Sequence, residues 1–200
     1  MQLKRYQKNT LDTLGTFLTD LRKVGLKYAF MGITEKPYQA QAFGEVPFVC
    51  IKIPTGGGKT FVGCHAVETI MSKALQAEHG IVLWFTPSEA IKTQTLRKFK
   101  DRKDDHRKAL DEAYDNRVRV FSNEEALSIR KSDVSNNLCI VIASLEAFRK
   151  EKTLQKKYKV YQENGALMDH FEHLDEPDFL ERDSEGTVIN SLANVVRLSN

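Results

Sequence analysis

One short stretch, residues 53–60 (Ile-Pro-Thr-Gly-Gly-Gly-Lys-Thr), constrains the fold of this chain more than any other. It follows an apolar run, residues 48–53, and precedes a segment with helical spacing. Three glycines permit a sharp turn in which backbone N–H groups close on an anion without a Cβ in the way. A helix that begins near Lys59 directs its unpaired N–H groups and the positive end of its dipole to the same point. The stretch therefore predicts a strand, a phosphate-binding loop and a helix in succession.

The last residues of this loop predict nucleotide binding. Lys59 can reach the outer phosphates of a nucleotide, and the Thr60 hydroxyl can bind Mg²⁺. The usual pattern opens with Gly or Ala where this chain has Ile53, so the turn depends on Gly56 and Gly58. The alternative is a glycine-rich turn from strand to helix that binds no nucleotide.

Four apolar runs predict a mainly parallel sheet. They are residues 48–53, 81–86, 117–122 and 138–143. The third alternates, whereas the others are nearly continuous, which is typical of strands buried on both faces. Helical segments separate the strands, and this alternation indicates an α/β fold with helices on both faces of the sheet. Ligands of such sheets bind beyond the carboxyl ends of the strands, where the glycine loop and residues 86–88 lie.

Helical spacing of apolar residues predicts the helices. The segments are residues 3–24, 59–76, 89–100, 124–130 and 191–198. Residues 25–46 contain several Gly and Pro breakers and predict a loop-rich connection. Residues 97–115 mix charges of both signs, which favours an exposed helix face over a binding patch.

Length and composition indicate a soluble globular protein. The 200 residues suffice for a single domain, or for a core with an insertion. A hydrophobic content of 41% and a charged content of 28% are ordinary for such proteins. No apolar run approaches the roughly 18 residues that span a bilayer, and the first residues lead into no signal-type apolar core. We therefore expect a cytoplasmic protein with no membrane partner.

The cysteines and the net charge give weaker guidance. Cys50, Cys64 and Cys139 lie in apolar surroundings and form no Cys-x-x-Cys pair, which favours reduced core thiols over disulfides or zinc. The net charge of +3 is too small to indicate nucleic-acid binding by itself.

The polar stretch at residues 149–190 predicts an insertion in the domain. Residues 149–159 are basic, and residues 163–185 are strongly acidic. The basic half could follow a phosphate backbone, although a solvated face is the simpler interpretation. His170 and His173 have a spacing that metals accept, but without a third ligand they favour an exposed helix.

Three motifs in order resemble the opening motifs of superfamily 2 helicases and translocases. They are Tyr6-Gln7, the loop at residues 54–60, and Thr86-Pro87-Ser88 with Gln94 behind it. Within that superfamily their order and spacing are most similar to the Res subunit of type III restriction enzymes. The resemblance implies the front of an N-terminal RecA-like domain that binds ATP and Mg²⁺ and contacts DNA without reading its sequence.

The resemblance also implies roles for individual residues. Gln7 would read adenine, with helix capping as its alternative role. The triphosphate and Mg²⁺ would be held by Thr55, Gly56, Gly57, Gly58, Lys59 and Thr60, of which Lys59 and Thr60 are the catalytic candidates and Thr60 the metal ligand. The backbone of a bound strand would be contacted by Thr86, Pro87, Ser88 and Ser144, with capping as the alternative role of Ser88. A modification or specificity subunit of a restriction system is a possible partner.

Hydrolysis in these proteins needs an Asp-Glu pair at the end of an apolar strand. The two local matches, Asp111-Glu112 and Asp175-Glu176, do not follow strands. In the related proteins the helix that corresponds to residues 191–198 leads into the acidic strand. We therefore expect a domain truncated before that motif, which binds ATP weakly and does not hydrolyse it. The alternatives are a nucleotide-binding module that never hydrolyses, and a small phosphotransferase, which the motifs on either side of the loop disfavour.

Overall fold

The computed structural model describes residues 1–39, 46–148, 159–174 and 177–199. The chain forms two compact units. The first comprises Met1–Glu78 and Lys108–Ala113, and the second comprises His79–Arg107 and Tyr114–Asn200. A single domain over residues 1–200 with an insertion at residues 149–190 stays a prediction.

Two helices open the first unit with one residue between them. α1 (Arg5–Val24) packs against α2 (Leu26–Thr34) through buried apolar side chains. Gly25 joins them at φ 82°, a left-handed conformation that favours glycine. Its N–H donates to the Leu21 carbonyl, and its carbonyl accepts from the Ala29 N–H, both at 3.0 Å. The loop-rich connection predicted over residues 25–46 is therefore wrong for Leu26–Thr34, which form α2. The reason is that Gly25 ends one helix and begins the next.

The prediction of a buried central strand over residues 48–53 is wrong, because none of the described residues of the first unit forms a strand. Phe48 is 50% exposed and Ile51 is 40% exposed, whereas Ile53 is buried. A strand needs a neighbouring backbone that pairs with its N–H and C=O groups. Apolar composition predicts a tendency to be buried, but it does not supply that partner.

The cysteines divide between surface and core. Cys64 and Cys139 are buried thiols, as predicted. The prediction that Cys50 is a core thiol is wrong, because the segment that carries it is not a buried strand and leaves it exposed.

The helix predicted over residues 59–76 is present, and its end is irregular. α3 (Lys59–Ile70) buries Phe61, Val62 and Cys64. It continues as one π-helical turn, Met71–Leu75, which ends at Gln76 with φ 53°. Apolar residues at helical spacing thus predicted the helix but not its final turn.

The second unit contains a three-stranded parallel sheet. β1 (Gly80–Thr86), β2 (Val118–Ser122) and β3 (Leu138–Ser144) are arranged in the order β1-β3-β2. The central strand β3 is fully buried from Leu138 to Ala143, as its continuous apolar run predicts. Three of the four predicted strands are therefore confirmed.

Helices cover both faces of this sheet. On one face, Phe99 of α4 (Glu89–Lys100) packs edge-on against Trp84 of β1, with ring centroids 4.9 Å apart. Successive strand residues point to opposite faces, so Ile81 and Leu83 lie on the other one. There they join a core cluster that includes Leu192 and Val195 of α7 (Leu192–Leu198). The α/β fold class is confirmed.

The charged segment at residues 97–115 is not an exposed helix face throughout. It contains α5 (Asp105–Ala113), in which Arg107 and Asp111 are buried. The Arg107 guanidinium donates to the carbonyl oxygens of Phe99 (3.0 Å) and Val118 (2.9 Å). The spacing of residues in the sequence could not predict the burial of Arg107. That burial depends on backbone acceptors that lie close to the guanidinium only in the folded chain.

The described part of the predicted insertion contributes to the core of the second unit. After α6 (Lys131–Asn136) and β3, 3₁₀ turns form at Lys159–Tyr161 and Gly165–His170, and they bury Val160 and Leu167. His170 is 7% exposed, and its Nε2 lies 2.9 Å from the Ile129 carbonyl oxygen, so the prediction of an exposed helix is wrong there. The backbone carbonyl acts as its partner, which the sequence does not reveal.

Two predicted features lie outside the described residues. They are residues 149–158 of the basic run and the Asp175-Glu176 pair. Within the described parts of the chain, no helix has the length and apolar character required to cross a membrane.

Candidate functional site: a glycine loop at a helix start

The loop before α3 has a backbone that requires glycine. Gly56 and Gly58 have φ of 77° and 76°, in the left-handed region that other residues rarely adopt. A Cβ on Gly57 would lie 2.5 Å from Ile53 Cγ2 and 2.9 Å from the Pro54 carbonyl oxygen. The three glycines thus form the sharp turn that the sequence predicts.

The turn leads directly into the start of α3. Gly58 is the N-cap residue, and the first intrahelical bond runs from the Val62 N–H to the Gly58 carbonyl oxygen (2.9 Å). The N–H groups of Lys59 and Thr60 precede that bond and have no acceptor within the helix. Such a helix start attracts anions through these N–H groups and through the positive end of the dipole. The donor set and the left-handed turn fit a phosphate group.

Lys59 and Thr60 lie in the first turn of α3. The Lys59 side chain is exposed, and its ammonium donates to the Pro54 carbonyl oxygen (3.0 Å). The Gly57 N–H donates to the same oxygen, also at 3.0 Å. Thr60 is half-buried, while Thr55 and Gly56 are exposed at the tip of the loop. The predicted phosphate-binding residues are therefore together in one short turn.

Gln7 contacts this loop from the first turn of α1. Its Nε2 donates to the Gly57 carbonyl oxygen (2.9 Å), and its Oε1 accepts from the Lys4 N–H (2.8 Å). The second bond caps α1, which is the alternative role that the sequence left open. Gln7 is 4% exposed, so its amide lies against the loop and not in solvent.

Tyr6 makes a contact that the sequence analysis missed. Its hydroxyl donates to the Gly57 carbonyl oxygen at 2.8 Å, so this oxygen accepts from both Tyr6 and Gln7. In the sequence, only the position of Tyr6 beside Gln7 indicated a role for this residue. A single tyrosine at a helix start does not predict a hydrogen-bond partner 51 residues away.

Candidate nucleic-acid residues lie at the carboxyl ends of β1 and β3 in the second unit. Thr86 and Ser144 pair in register at these ends. Thr86 is 3% exposed, and its hydroxyl donates to the Ala143 carbonyl oxygen (3.3 Å). Ser88 caps α4 by accepting from the Ile91 N–H (3.4 Å). The Ser144 hydroxyl hydrogen-bonds the Glu89 carboxylate. Three of the four predicted residues, Thr86, Ser88 and Ser144, thus already have hydrogen-bond partners within the protein.

These strand ends border a cavity of about 480 Å³. Its lining includes Pro87, Ser88, Glu89, Lys92, Asn123, Glu124, Ser144 and Glu146. The Lys92 ammonium contacts Glu89 (2.8 Å), Asn123 (3.2 Å) and Glu124 (3.6 Å). Hydrogen bonds from Lys92 and then Ser144 hold the pKa of Glu89 below its usual range. The cavity therefore carries more negative than positive charge, and Lys92 is held by two carboxylates.

The described residues contain no cluster of three or more metal-ligating side chains. Asp111 and Glu112 lie within α5, so this pair does not end a strand.

A family model described as "Type III restriction enzyme, res subunit" matches residues 1–189. Comparison with curated proteins gave no match, and neither did comparison with solved structures. The family match covers most of the chain, and a P-loop domain accounts for both the glycine loop before α3 and the parallel sheet. The chain therefore belongs to the type III restriction enzyme res subunit family, as an α/β, RecA-like, ATP-dependent helicase-like domain.

Proposed function

We propose that this chain is the ATP-binding and DNA-contacting part of an ATP-dependent DNA helicase or translocase of a type III restriction-like system. The observation that carries the proposal is the glycine loop, in which Gly56 and Gly58 are left-handed and Lys59 begins α3. This geometry supports a triphosphate site because it combines backbone donors and a cation at one helix start, with open space beside Gly56.

In the proposed complex, the Lys59 ammonium leaves the Pro54 carbonyl for the outer phosphate oxygens. Backbone N–H groups of Gly56 and Gly58 surround the phosphates, beside Thr55. The Gly57 N–H joins them only if it also leaves the Pro54 carbonyl oxygen. Thr60 would supply its hydroxyl to a bound Mg²⁺. Bound Mg²⁺ would neutralise charge on the phosphates.

We further propose that this chain alone binds Mg-ATP weakly and hydrolyses it only at the background rate. The described strands end at Thr86, Ser122 and Ser144, and none of these strands is followed by an Asp-Glu pair. Phosphoryl transfer requires a carboxylate that positions the attacking water. Rapid, DNA-stimulated hydrolysis by this chain would contradict the proposal.

The DNA contact that we propose is with the backbone and is independent of sequence. The Thr86, Ser88 and Ser144 hydroxyls at the ends of β1 and β3 support it, because such groups position a strand without reading bases. Thr86 and Ser144 would exchange their present acceptors, the Ala143 carbonyl and the Glu89 carboxylate, for phosphate oxygens. We expect weak binding of single-stranded DNA that falls steeply as salt rises. A second proposed partner is the modification or specificity subunit of a restriction system.

Isothermal titration calorimetry with Mg-ATP tests the nucleotide site. The Lys59→Ala variant is expected to lose binding, whereas Lys73→Ala, which removes an exposed lysine downstream of α3, is the matched control and should retain it. Equal affinity of the wild type and Lys59→Ala would reject the site.

A further inference from the structure

We propose that Tyr6 is a positioning residue of the glycine loop. Its hydroxyl keeps its hydrogen bond to the Gly57 carbonyl oxygen when the Gln7 amide turns away from that oxygen to read adenine. This inference rests on the ATP site proposed above, and it assigns to Tyr6 a role that the motif comparison does not.

Two side-chain donors share the Gly57 carbonyl oxygen. Tyr6 Oη and Gln7 Nε2 lie 2.8 Å and 2.9 Å from the Gly57 carbonyl oxygen. A carbonyl oxygen has two lone pairs, so these two donors satisfy it. Gly57 is buried, and a buried carbonyl that loses all its donors destabilises the loop around it. Either donor alone prevents that loss.

The Gln7 amide is not accessible to a base in this structure. The amide still has one N–H and one lone pair to offer, which match N7 and N6 of adenine. However, the side chain is 4% exposed, and its Nε2 lies so close to the loop that a Cβ on Gly58 would be 2.6 Å from it. A base cannot reach the amide in this conformation. Gln7 must therefore turn away from Gly57 in order to read adenine.

Tyr6 holds the Gly57 carbonyl oxygen independently of Gln7. Tyr6 is 41% exposed, and its hydroxyl bonds Gly57 directly and not through Gln7, so this bond can stay in place when Gln7 moves. With Tyr6 present, Gln7 can turn to the base while the loop keeps the shape that binds phosphate. Without the hydroxyl, Gln7 has two alternatives. It can keep its hydrogen bond to Gly57 and not contact the base, or it can contact the base and leave the Gly57 carbonyl oxygen without a donor. Tyr6 thus couples recognition of the base to the conformation of the phosphate loop.

The test compares three ligands, Mg-ATP, Mg-GTP and magnesium tripolyphosphate, by calorimetry. The variants are Tyr6→Phe, Gln7→Ala and the double variant, and Tyr28→Phe is the control because Tyr28 is an exposed tyrosine of α2. We expect Tyr6→Phe to weaken ATP binding about tenfold, the effect of one net hydrogen bond. Its preference for ATP over GTP should fall, and tripolyphosphate binding should not change. The double variant should also lose tripolyphosphate affinity, because neither donor then holds Gly57.

Two results would overturn the inference. One is an unchanged preference for ATP over GTP in Tyr6→Phe. The other is an equal loss of ATP and tripolyphosphate affinity in that variant, which would make Tyr6 a general support of the loop. Failure of the wild type to bind any of the three ligands would instead reject the proposed ATP site and, with it, the role in base recognition.

A measurement without ligand separates the two proposals. The carbonyl ¹³C resonance of Gly57, labelled selectively, reports the hydrogen bonds to its oxygen. We expect this resonance to move in Tyr6→Phe and to stay in place in Tyr28→Phe. An unmoved resonance in Tyr6→Phe would overturn the inference whether or not nucleotide binds.

Discussion

The Lys59 ammonium donates to the Pro54 carbonyl oxygen at 3.0 Å, within the loop that precedes it. The Gly57 N–H shares this acceptor. Because the lysine is exposed, a phosphate oxygen can replace the carbonyl with little net loss of free energy. The cation is therefore held beside the turn by a bond that contributes little to folding.

Removal of this ammonium should leave the fold intact. We expect Lys59→Ala to change the free energy of unfolding by no more than about 0.5 kcal/mol, as for an exposed side chain with one replaceable bond. Urea denaturation followed by circular dichroism measures this change. A loss above about 1 kcal/mol would mean that the Lys59–Pro54 bond stabilises the folded loop.

Two Gly→Ala substitutions should have effects of opposite sign. Gly58→Ala forces alanine into φ 76° and places a Cβ 2.6 Å from Gln7 Nε2, so we expect destabilisation by about 1–2 kcal/mol and loss of Mg-ATP binding. Gly32→Ala is the matched control, because Gly32 lies inside α2 and a Cβ there meets nothing within 4 Å. It should stabilise by up to about 1 kcal/mol. Equal effects in urea denaturation would contradict this account of the loop.

Two Ile→Ala substitutions test the correction at residues 48–53. Ile140 of the central strand is fully buried, so Ile140→Ala should destabilise by about 2–5 kcal/mol. Ile51 is 40% exposed, and Ile51→Ala should cost less than about 1 kcal/mol. Thermal and urea unfolding measure both. Comparable losses would indicate that residues 48–53 form a buried strand after all.

Thiol labelling should distinguish the three cysteines. Cys50 is exposed, whereas Cys64 and Cys139 are buried, and burial raises the pKa of the Cys139 thiol to about 12. Because the thiolate is the reactive form, we expect one fast-reacting thiol at pH 8 in the folded protein and three in denaturant. The Cys50→Ser variant should lose the fast reaction. Fast labelling that persists in this variant would show that a core cysteine is accessible.

Lys92 is the one cation among the described residues that line the cavity at the strand ends. If DNA phosphates bind there, Lys92→Ala should weaken binding of single-stranded DNA and lower the magnitude of its salt slope by about one. The exposed Lys73→Ala again serves as the control. Fluorescence anisotropy at several salt concentrations measures both quantities. An unchanged slope would exclude Lys92 from the DNA contact.

The pattern of apolar residues along the chain predicted those strands and helices whose formation depends mainly on neighbouring residues. The continuous apolar run of β3 predicted its burial, and the helical spacing of α1, α3 and α4 predicted these helices. The same reasoning missed α2, because Gly25 can end one helix and begin another and its sequence signature is that of a loop. It also missed the burial of Arg107 and His170, because their carbonyl partners lie in other elements, 8 and 11 residues away for Arg107 and 41 residues away for His170.

The sequence by itself determined the glycine turn before α3, because the left-handed backbone at Gly56 and Gly58 and the close packing around Gly57 and Gly58 favour glycine. Only the tertiary structure decided what that turn contacts. Tyr6 and Gln7 meet the Gly57 carbonyl across some 50 residues of chain, and Lys92 meets Glu124 from another segment. The physical reason is that backbone conformation follows from neighbouring residues, whereas hydrogen-bond partners and burial depend on which segments the folded chain brings together.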